Sequence, residues 1–340
     1  MTTAMDHQAP GDTEPALTSD NLGLDLVRAT EAAALAAGRW MGNGDTAAAD
    51  NAATLAMQDA LSGIRFDGRV LFSEVDKLGA DDPLHPGQRV GTGQGPAMDI
   101  VVDPIEGRAL LGQGHPDAIS VAAAAPRGAF WSVPHAVYME KLIVGPHVAP
   151  ALVPECLDAP AAWTLALVAR AQSKAVSDLI VYVINRPRHL DLIREIRAAG
   201  ARVMLRSEGD LVGALMALLA QGGVDLMMGV GNYPEGLIAA CAVKACNGGM
   251  LGRLAPQTTS EREAILSAGV DLRSVYTVNE LVLGNRTFFA ATGITDGALL
   301  AGIRYHGTRA TSNSLVMRGE THTRRTIEAE HLQTPQGYDA

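Results

Sequence analysis

The stretch VVDPIEGRALLG, residues 101 to 112, places two carboxylates three residues apart at the exit of an apolar run, with a proline between them and an arginine just beyond. Ile100, Val101 and Val102 predict a buried strand. Pro104 has no N–H to give to a sheet ladder, so the chain is expected to turn after Asp103. Across such a turn Asp103 and Glu106 can converge, with the Ile105 carbonyl between them. Two hard anions and a backbone oxygen suit Mg²⁺ or Mn²⁺. Taken alone, the pattern equally describes a solvated Asp–Pro turn. Other carboxylates stand in similar places: Glu74 after RVLFS, Asp50 after the GNGD loop, and Glu235 in GVGNYPEG, where Asn232 is set to cap a helix and Pro234 to enter its first turn. Glu235 has an ordinary account too, since a first-turn acid gains ~0.3–1 kcal/mol from the helix dipole. Five carboxylates following strands or glycine-rich loops point together to a divalent-metal site.

Cations follow the same geography. NRPRH (185–189) sets Arg186 and Arg188 at a strand exit before a helix, where guanidinium forks and the helix N-terminus both favour a phosphate. Two solvated arginines paired with Asp191 or Glu195 would look the same. Tyr138 and Lys141, at the edge of YMEKLIVG, are placed to reach a sugar or phosphate, although a tyrosine there is more often half-buried. The GxG of GVGNYPEG lacks the third glycine and the acidic ribose ligand of a dinucleotide site, which argues against NAD.

The elements that must position these groups are legible in outline. Leu22, Leu26, Ala29, Ala33, Ala36 and Trp40 recur at helical spacing, and a second alanine-rich helix is expected over 47–61. Strands are expected at 69–72, 98–102, 118–125, 129–133 and 138–145. Beyond Pro160 strands at 179–184, 201–205 and 224–230 alternate with helices at 189–200, 210–221 and 234–245, the pattern of parallel βαβ units. Further strands are expected at 287–292 and 313–318. The fold class is α/β, with layered sandwiches and the cleft between them or at strand ends.

Composition narrows the partners. The 340 residues are 47% hydrophobic and 19% charged, which describes a folded chain with a sizeable core. Aromatics are 4%, too few for a nucleic-acid stacking platform, and acids outnumber bases 37 to 27, a net charge of −10 that argues against nucleic acid and anionic membrane. Cys156, Cys241 and Cys246 form no metal or disulfide pattern. No apolar run reaches the ~18 residues of a membrane span. Residues 1–20 read as a disordered tail without a signal sequence, and the expected location is cytoplasmic.

The stretches TEAAALAAGRWMGNGD, MDIVVDPIEG, YMEKLIVGP, RPRH, PEG and FFAATGITDG resemble the class II fructose-1,6-bisphosphatases of bacteria, within the lithium-sensitive, metal-dependent phosphatases, from about Asn21 to Leu332. The resemblance implies a two-domain layered α/β/α sandwich of the sugar-phosphatase type, read here as 21–165 and 166–334 with a tail at 335–340. It further implies hydrolysis of a phosphate monoester with Mg²⁺ or Mn²⁺. By position, Asp50, Glu74, Asp103, Glu106 and Glu235 match its metal-binding carboxylates, and Tyr138, Arg186, Arg188, Glu208 and Asp210 fall where it holds a sugar phosphate. Departures cluster at this site. Arg108 replaces a threonine that positions water, Thr46 replaces a lysine, SEVD replaces GEGE, and Asn232 and Tyr233 replace small residues, adding bulk where the family leaves room for substrate. Arg108 is therefore expected to touch both the chemistry and the substrate, and Asn232 the substrate. Three functions follow: a phosphatase for another sugar phosphate or a sugar-like nucleotide, an ordinary fructose-1,6-bisphosphatase, or a silent phosphate-binding homologue. A homo-oligomer is compatible with each.

Overall fold

The computed structural model describes residues 21–73, 83–219 and 222–332; the two expected tails and Glu74 lie outside the described residues. Two amphipathic helices open the fold, α1 (Leu22–Ala37) and α2 (Thr46–Ser62). The Asp45 side chain accepts from the Ala48 N–H at 2.9 Å and so starts α2 one residue before the expected alanine run. Then come β1 (Asp67–Ser73), β2 (Arg89–Val90), β3 (Ala97–Glu106), the short α3 (Arg108–Gln113), β4 (Ile119–Pro126), β5 (Tyr138–Val144) and α4 (Ala161–Gln172). The alternating region is β6 (Ile180–Ile184), α5 (Leu190–Ala198), β7 (Arg202–Arg206), α6 (Asp210–Leu218), β8 (Leu226–Asn232) and α7 (Tyr233–Ala245). The chain ends with β9 (Gly249–Leu254), α8 (Thr259–Ser267), β10 (Tyr276–Thr277), α9 (Val278–Leu281), β11 (Phe288–Gly293), β12 (Arg304–His306), β13 (Arg309–Arg318) and β14 (Thr323–Leu332).

Two mixed sheets result. The larger runs β12-β13-β11-β4-β3-β1-β2, with β14 on the other side of β13; the smaller runs β10-β9-β5-β8-β6-β7. As expected from the alternation, β6 is parallel to β7 and to β8, but β5 enters antiparallel beside β8, with β9 antiparallel to β5 in turn. Each sheet buries both faces, so five layers form. Leu26, Ala33 and Met57 of α1 and α2 pack on one face of the larger sheet against Ile100, Val102 and Phe288. Its other face packs, through Val121 and Phe289, on Leu215 and Ile238 of α6 and α7, which in turn cover Met139 and Met227 of the smaller sheet. Leu165 of α4 and Ile193 of α5 close the far side. Alanine and glycine allow α7 to be buried all round between two sheets.

Two expectations are corrected. Ala129, Phe130 and Val133 are buried, yet residues 129–133 form no strand: Ala129 N–H turns back to Pro126 C=O, Trp131 N–H goes to Leu281 C=O, and Phe130 makes an isolated bridge with Val282. Pro104 does not end β3. Asp103 pairs with Val121 and Glu106 with Ile119, so the strand takes up its proline by bulging one extra residue and then resumes. The larger sheet draws β1–β4 and β11–β14 from both halves of the chain, while β5 joins the smaller one.

Candidate active site

The bulge fixes the first two carboxylates. Asp103 Oδ1 accepts from Ile105 N–H at 3.0 Å, and Glu106 Oε1 accepts from Leu211 N–H, in the first turn of α6, at 3.2 Å. Their other oxygens, Asp103 Oδ2 and Glu106 Oε2, are sealed from solvent. Gly107 then adopts φ +86°, a left-handed turn that an L side chain resists, and this launches α3 at Arg108. Arg108 Nη1 meets Asp50 Oδ2, on α2, at 2.5 Å, and both side chains are about 15% exposed or less. The next amide, Ala109 N–H, donates to Glu208 Oε2 at 3.1 Å, and Arg186 stands 3.6 Å from Glu208 Oε1.

A buried ion pair lies deeper. Lys141 on β5, 2% exposed, donates from Nζ to Asp210 Oδ2 at 2.5 Å and to the Asn232 carbonyl at 3.1 Å. Lys141 therefore does not face a ligand from the strand edge as its position suggested; it neutralises Asp210. Glu235, in the first turn of α7, completes the group. Its Oε1 accepts from Asn232 Nδ2 at 2.6 Å, so Asn232 holds the N-cap position without capping α7 with its side chain. Burial pushes the Glu235 carboxyl well above the usual carboxylate range. The negative charges of Asp210, Glu106 and Asp103 push the same way and Lys141 opposes them, which places all four carboxylates in one electrostatic neighbourhood.

The RPRH turn is held by its histidine. His189 Nδ1 donates to Ile184 C=O at 2.6 Å, and its Nε2 accepts from Val230 N–H at 2.8 Å. Arg188 binds the Val230 carbonyl through Nε and Nη2 at 3.0 and 2.7 Å and lies over the Tyr138 ring at 5.2 Å. Arg186 is 40% exposed on its side chain and remains open to a ligand.

The expected residues thus gather in two groups. Asp103, Glu106, Asp210, Asn232 and Glu235 form one around Lys141; Asp50, Arg108, Glu208 and Arg186 form the other, with Arg188 and Tyr138 at a flank. Tyr233 belongs to neither. It is fully buried, its hydroxyl donates to Trp131 C=O and accepts from Val133 N–H, and its ring packs edge-on against Phe72 and Trp131, so it fills core rather than substrate space. His189 is a positioning residue that sequence reasoning left out of the site, and Lys141 one to which it gave a ligand-facing role. The signals for these roles are a histidine beside the two arginines and a cation in a buried strand.

Donor types that suit a divalent cation are present in part of this arrangement. Asp103, Glu106 and Glu235 offer hard oxygen donors among buried residues, with Asp210 and Lys141 beside them. The Asp50 arm does not suit one equally, because a guanidinium already sits on its oxygen. Among the described residues no three acidic, histidine or cysteine side chains close on a point tightly enough to hold a metal ion, so the single five-carboxylate centre expected from the sequence is not formed by them.

Comparison with known proteins identifies the family. Residues 20–331 match the family described as bacterial fructose-1,6-bisphosphatase, glpX-encoded. The chain is similar to a fructose-1,6-bisphosphatase class 2 of Haemophilus influenzae, 37% identical over 323 residues that cover 91% of this chain and 96% of the relative. It is likewise similar to fructose-1,6-bisphosphatase 1 class 2 of Escherichia coli K12, 35% identical over 323 residues, covering 91% of this chain and 95% of the relative.

Proposed function

Since the chain belongs to the glpX-encoded bacterial fructose-1,6-bisphosphatase family, we propose that it hydrolyses a sugar phosphate, or a sugar-like nucleotide, other than fructose 1,6-bisphosphate. Its class of reaction is phosphoric monoester hydrolysis, metal-dependent as in the family. By the family pattern, Asp103, Glu106 and Glu235 would contribute oxygen donors to the ion. When bound, a divalent ion polarises the phosphoryl group and lowers the pKa of a water.

The chain's own residues supply the rest. Arg186, open to solvent beside Glu208, binds a phosphate oxygen. Arg188 is held by the Val230 carbonyl and fixes the Tyr138 ring, so the two shape the sugar side. Lys141 cancels Asp210 and keeps the N-terminus of α6 beside Glu106. Burial of the Lys141–Asp210 pair strengthens that interaction.

The observation that carries the altered substrate is the Arg108–Asp50 pair. It puts a long cation on a carboxylate that the family pattern assigns to metal, where a threonine hydroxyl would otherwise orient water. Asn232, bonded to Glu235, adds a second change beside the same pocket. A second reading, fructose 1,6-bisphosphate itself, is favoured by the 37% identity along nearly the whole chain and by the presence of Tyr138, Arg186 and Arg188. Phosphate release with Mg²⁺ and with Mn²⁺, measured across sugar and nucleotide monophosphates and fructose 1,6-bisphosphate, separates the two. The proposal expects kcat/KM on fructose 1,6-bisphosphate at least tenfold below that on another phosphomonoester. The highest kcat/KM on the bisphosphate would establish the second reading.

A further inference from the structure

We propose that β14 is a self-association edge: two copies of this chain pair their β14 strands antiparallel about Thr326, so that the larger sheet runs unbroken from one copy into the other.

The first observation is the edge itself. β14 lies outside β13, and ten consecutive pairs, from Arg318 with Thr323 to Arg309 with Leu332, run without a register shift. On the other side of β14 no backbone group among the described residues donates to it or accepts from it. A strand turns alternate N–H and C=O groups to each side, so this side carries a row of donors and acceptors roughly 30 Å long. Edges of this kind are ordinarily blunted by proline, a bulge, an inward lysine or shortness. TRRTIEAEHL has no proline and no lysine, and its pairing carries no bulge.

The second is the order of its charges. Arg324 and Arg325 precede Glu328 and Glu330, so the edge is neutral within a chain of net charge −10, and two copies can approach there without that repulsion. Side chains alternate across a strand, and Arg324, Thr326, Glu328 and Glu330 share one face and are all exposed. A parallel copy in register would set arginine against arginine and glutamate against glutamate. An antiparallel copy related by a two-fold axis normal to the sheet pairs residues of the same face, with one residue at the centre meeting its own counterpart. Centred on Thr326, Arg324 of each copy lies opposite Glu328 of the other, and threonine meets threonine. Opposite charges and paired threonines are both favourable cross-strand neighbours. Centring on Arg325 or on Glu328 sets that charge against itself. Centring on Ile327 gives Arg324 to Glu330, which already pairs with Arg309 of β13, whereas Arg324 and Glu328 make no ion pair among the described residues.

The opposite face agrees with this register. Ile327 is half-buried and packs toward α1 and α2. With Thr326 at the centre, Arg325 of one copy lies beside Ile327 of the other, where its aliphatic stem extends the cover over that apolar side chain. The edge is also remote from the candidate site, since β13, β11 and β4 stand between β14 and β3. The proposal is therefore independent of the substrate reading above.

Sedimentation equilibrium on the full-length chain tests it. The wild type is expected to dimerise with a Kd below about 100 µM. Arg324→Glu sets acid on acid and Glu328→Arg sets base on base, and each is expected to weaken association at least tenfold. The double variant, Arg324→Glu with Glu328→Arg, is expected to return to within threefold of the wild type. An equimolar mixture of the two single variants is expected to associate more tightly than either alone, because the acidic edge of one meets the basic edge of the other. A wild type that stays monomeric at about 100 µM overturns the proposal. So does an unchanged Kd in both single variants, which places the interface elsewhere, and so does a weakening that neither the double variant nor the mixture reverses. Circular dichroism confirms the fold of each variant; if one single variant fails to fold, the other and the double variant still decide.

Discussion

The two arginines of RPRH differ in how much of each is spent on the protein. Arg188 gives Nε and Nη2 to the Val230 carbonyl and stacks on Tyr138, while Arg186 makes only a long contact with Glu208. Arg186→Ala is therefore expected to raise KM for the sugar phosphate about tenfold, a loss of ~1.4 kcal/mol of binding, with an unchanged melting temperature. Arg188→Ala should raise KM too, and also lower the melting temperature by about 1–3 °C through the lost carbonyl bonds. Steady-state kinetics and scanning calorimetry on the two variants check this; equal melting temperatures would remove the structural role given to Arg188. The difference was not legible in NRPRH, where both arginines look alike. Nor was the Arg108–Asp50 pair, whose partners are 58 residues apart, or Lys141–Asp210, 69 apart. Positions at strand exits could be read from local pattern, but partners chosen by folding could not.

At the scale of elements, the junction of β6, β8 and the RPRH turn depends on a neutral histidine. Burial, with help from the nearby Arg188 charge, holds the His189 pKa below its ordinary 6.5; its bond to Ile184 and the Asp210 charge pull the other way without reversing this. A pKa depressed in the folded state means that unfolding takes up protons, so the stability His189 contributes is complete above pH 6.5 and is lost as pH falls from there through the folded pKa. Protonation also places a hydrogen where Nε2 accepts from Val230 N–H. Urea unfolding at a series of pH values is expected to show stability declining below 6.5, with that part of the slope absent in His189→Gln; an identical slope in the variant would assign it elsewhere. Close approach sets a second expectation on β8. A Cβ on Gly231 would lie 1.4 Å from Asp210 Oδ2 and 2.8 Å from Lys141 Nζ. Gly231→Ala must displace the buried ion pair, so a loss of at least ~1–3 kcal/mol is expected from chemical denaturation, and a value below 0.5 kcal/mol would show that the pair yields easily. The sequence disclosed β8 and its neighbours because they are buried and read as apolar runs. It did not disclose β14, TRRTIEAEHL, whose charged, largely exposed residues pair only with β13 among the described strands. Residues 129–133 misled in the opposite sense: Ala129, Phe130 and Val133 are buried by packing with α7 and α9, not by a ladder, and burial alone does not make a strand.

The whole molecule converges on one place. Asp103 and Glu106 come from the larger sheet, Asp210 and Glu235 from the helices between the sheets, and Lys141 from the smaller sheet. A cation bound there would join three of the five layers, in a chain whose net charge is −10. Ligand that binds only the folded state stabilises it by ~2.7 kcal/mol at one hundred times its Kd. For a chain of this size that is a rise of about 4 °C in melting temperature, since unfolding entropy grows with length. Chelator-treated protein is therefore expected to melt about 4 °C higher when Mn²⁺ is restored to that level. Glu235→Gln provides the sharper comparison. Without metal, the amide removes a carboxylate that burial and three like charges disfavour, so the variant should melt no lower than the wild type at pH 8. With Mn²⁺, it lacks one of the donors and its gain should shrink to less than half. The two melting curves would then approach or cross as Mn²⁺ is added. If Glu235→Gln instead keeps the full Mn²⁺ shift, the ion does not use α7, and its attachment is confined to the bulge of β3.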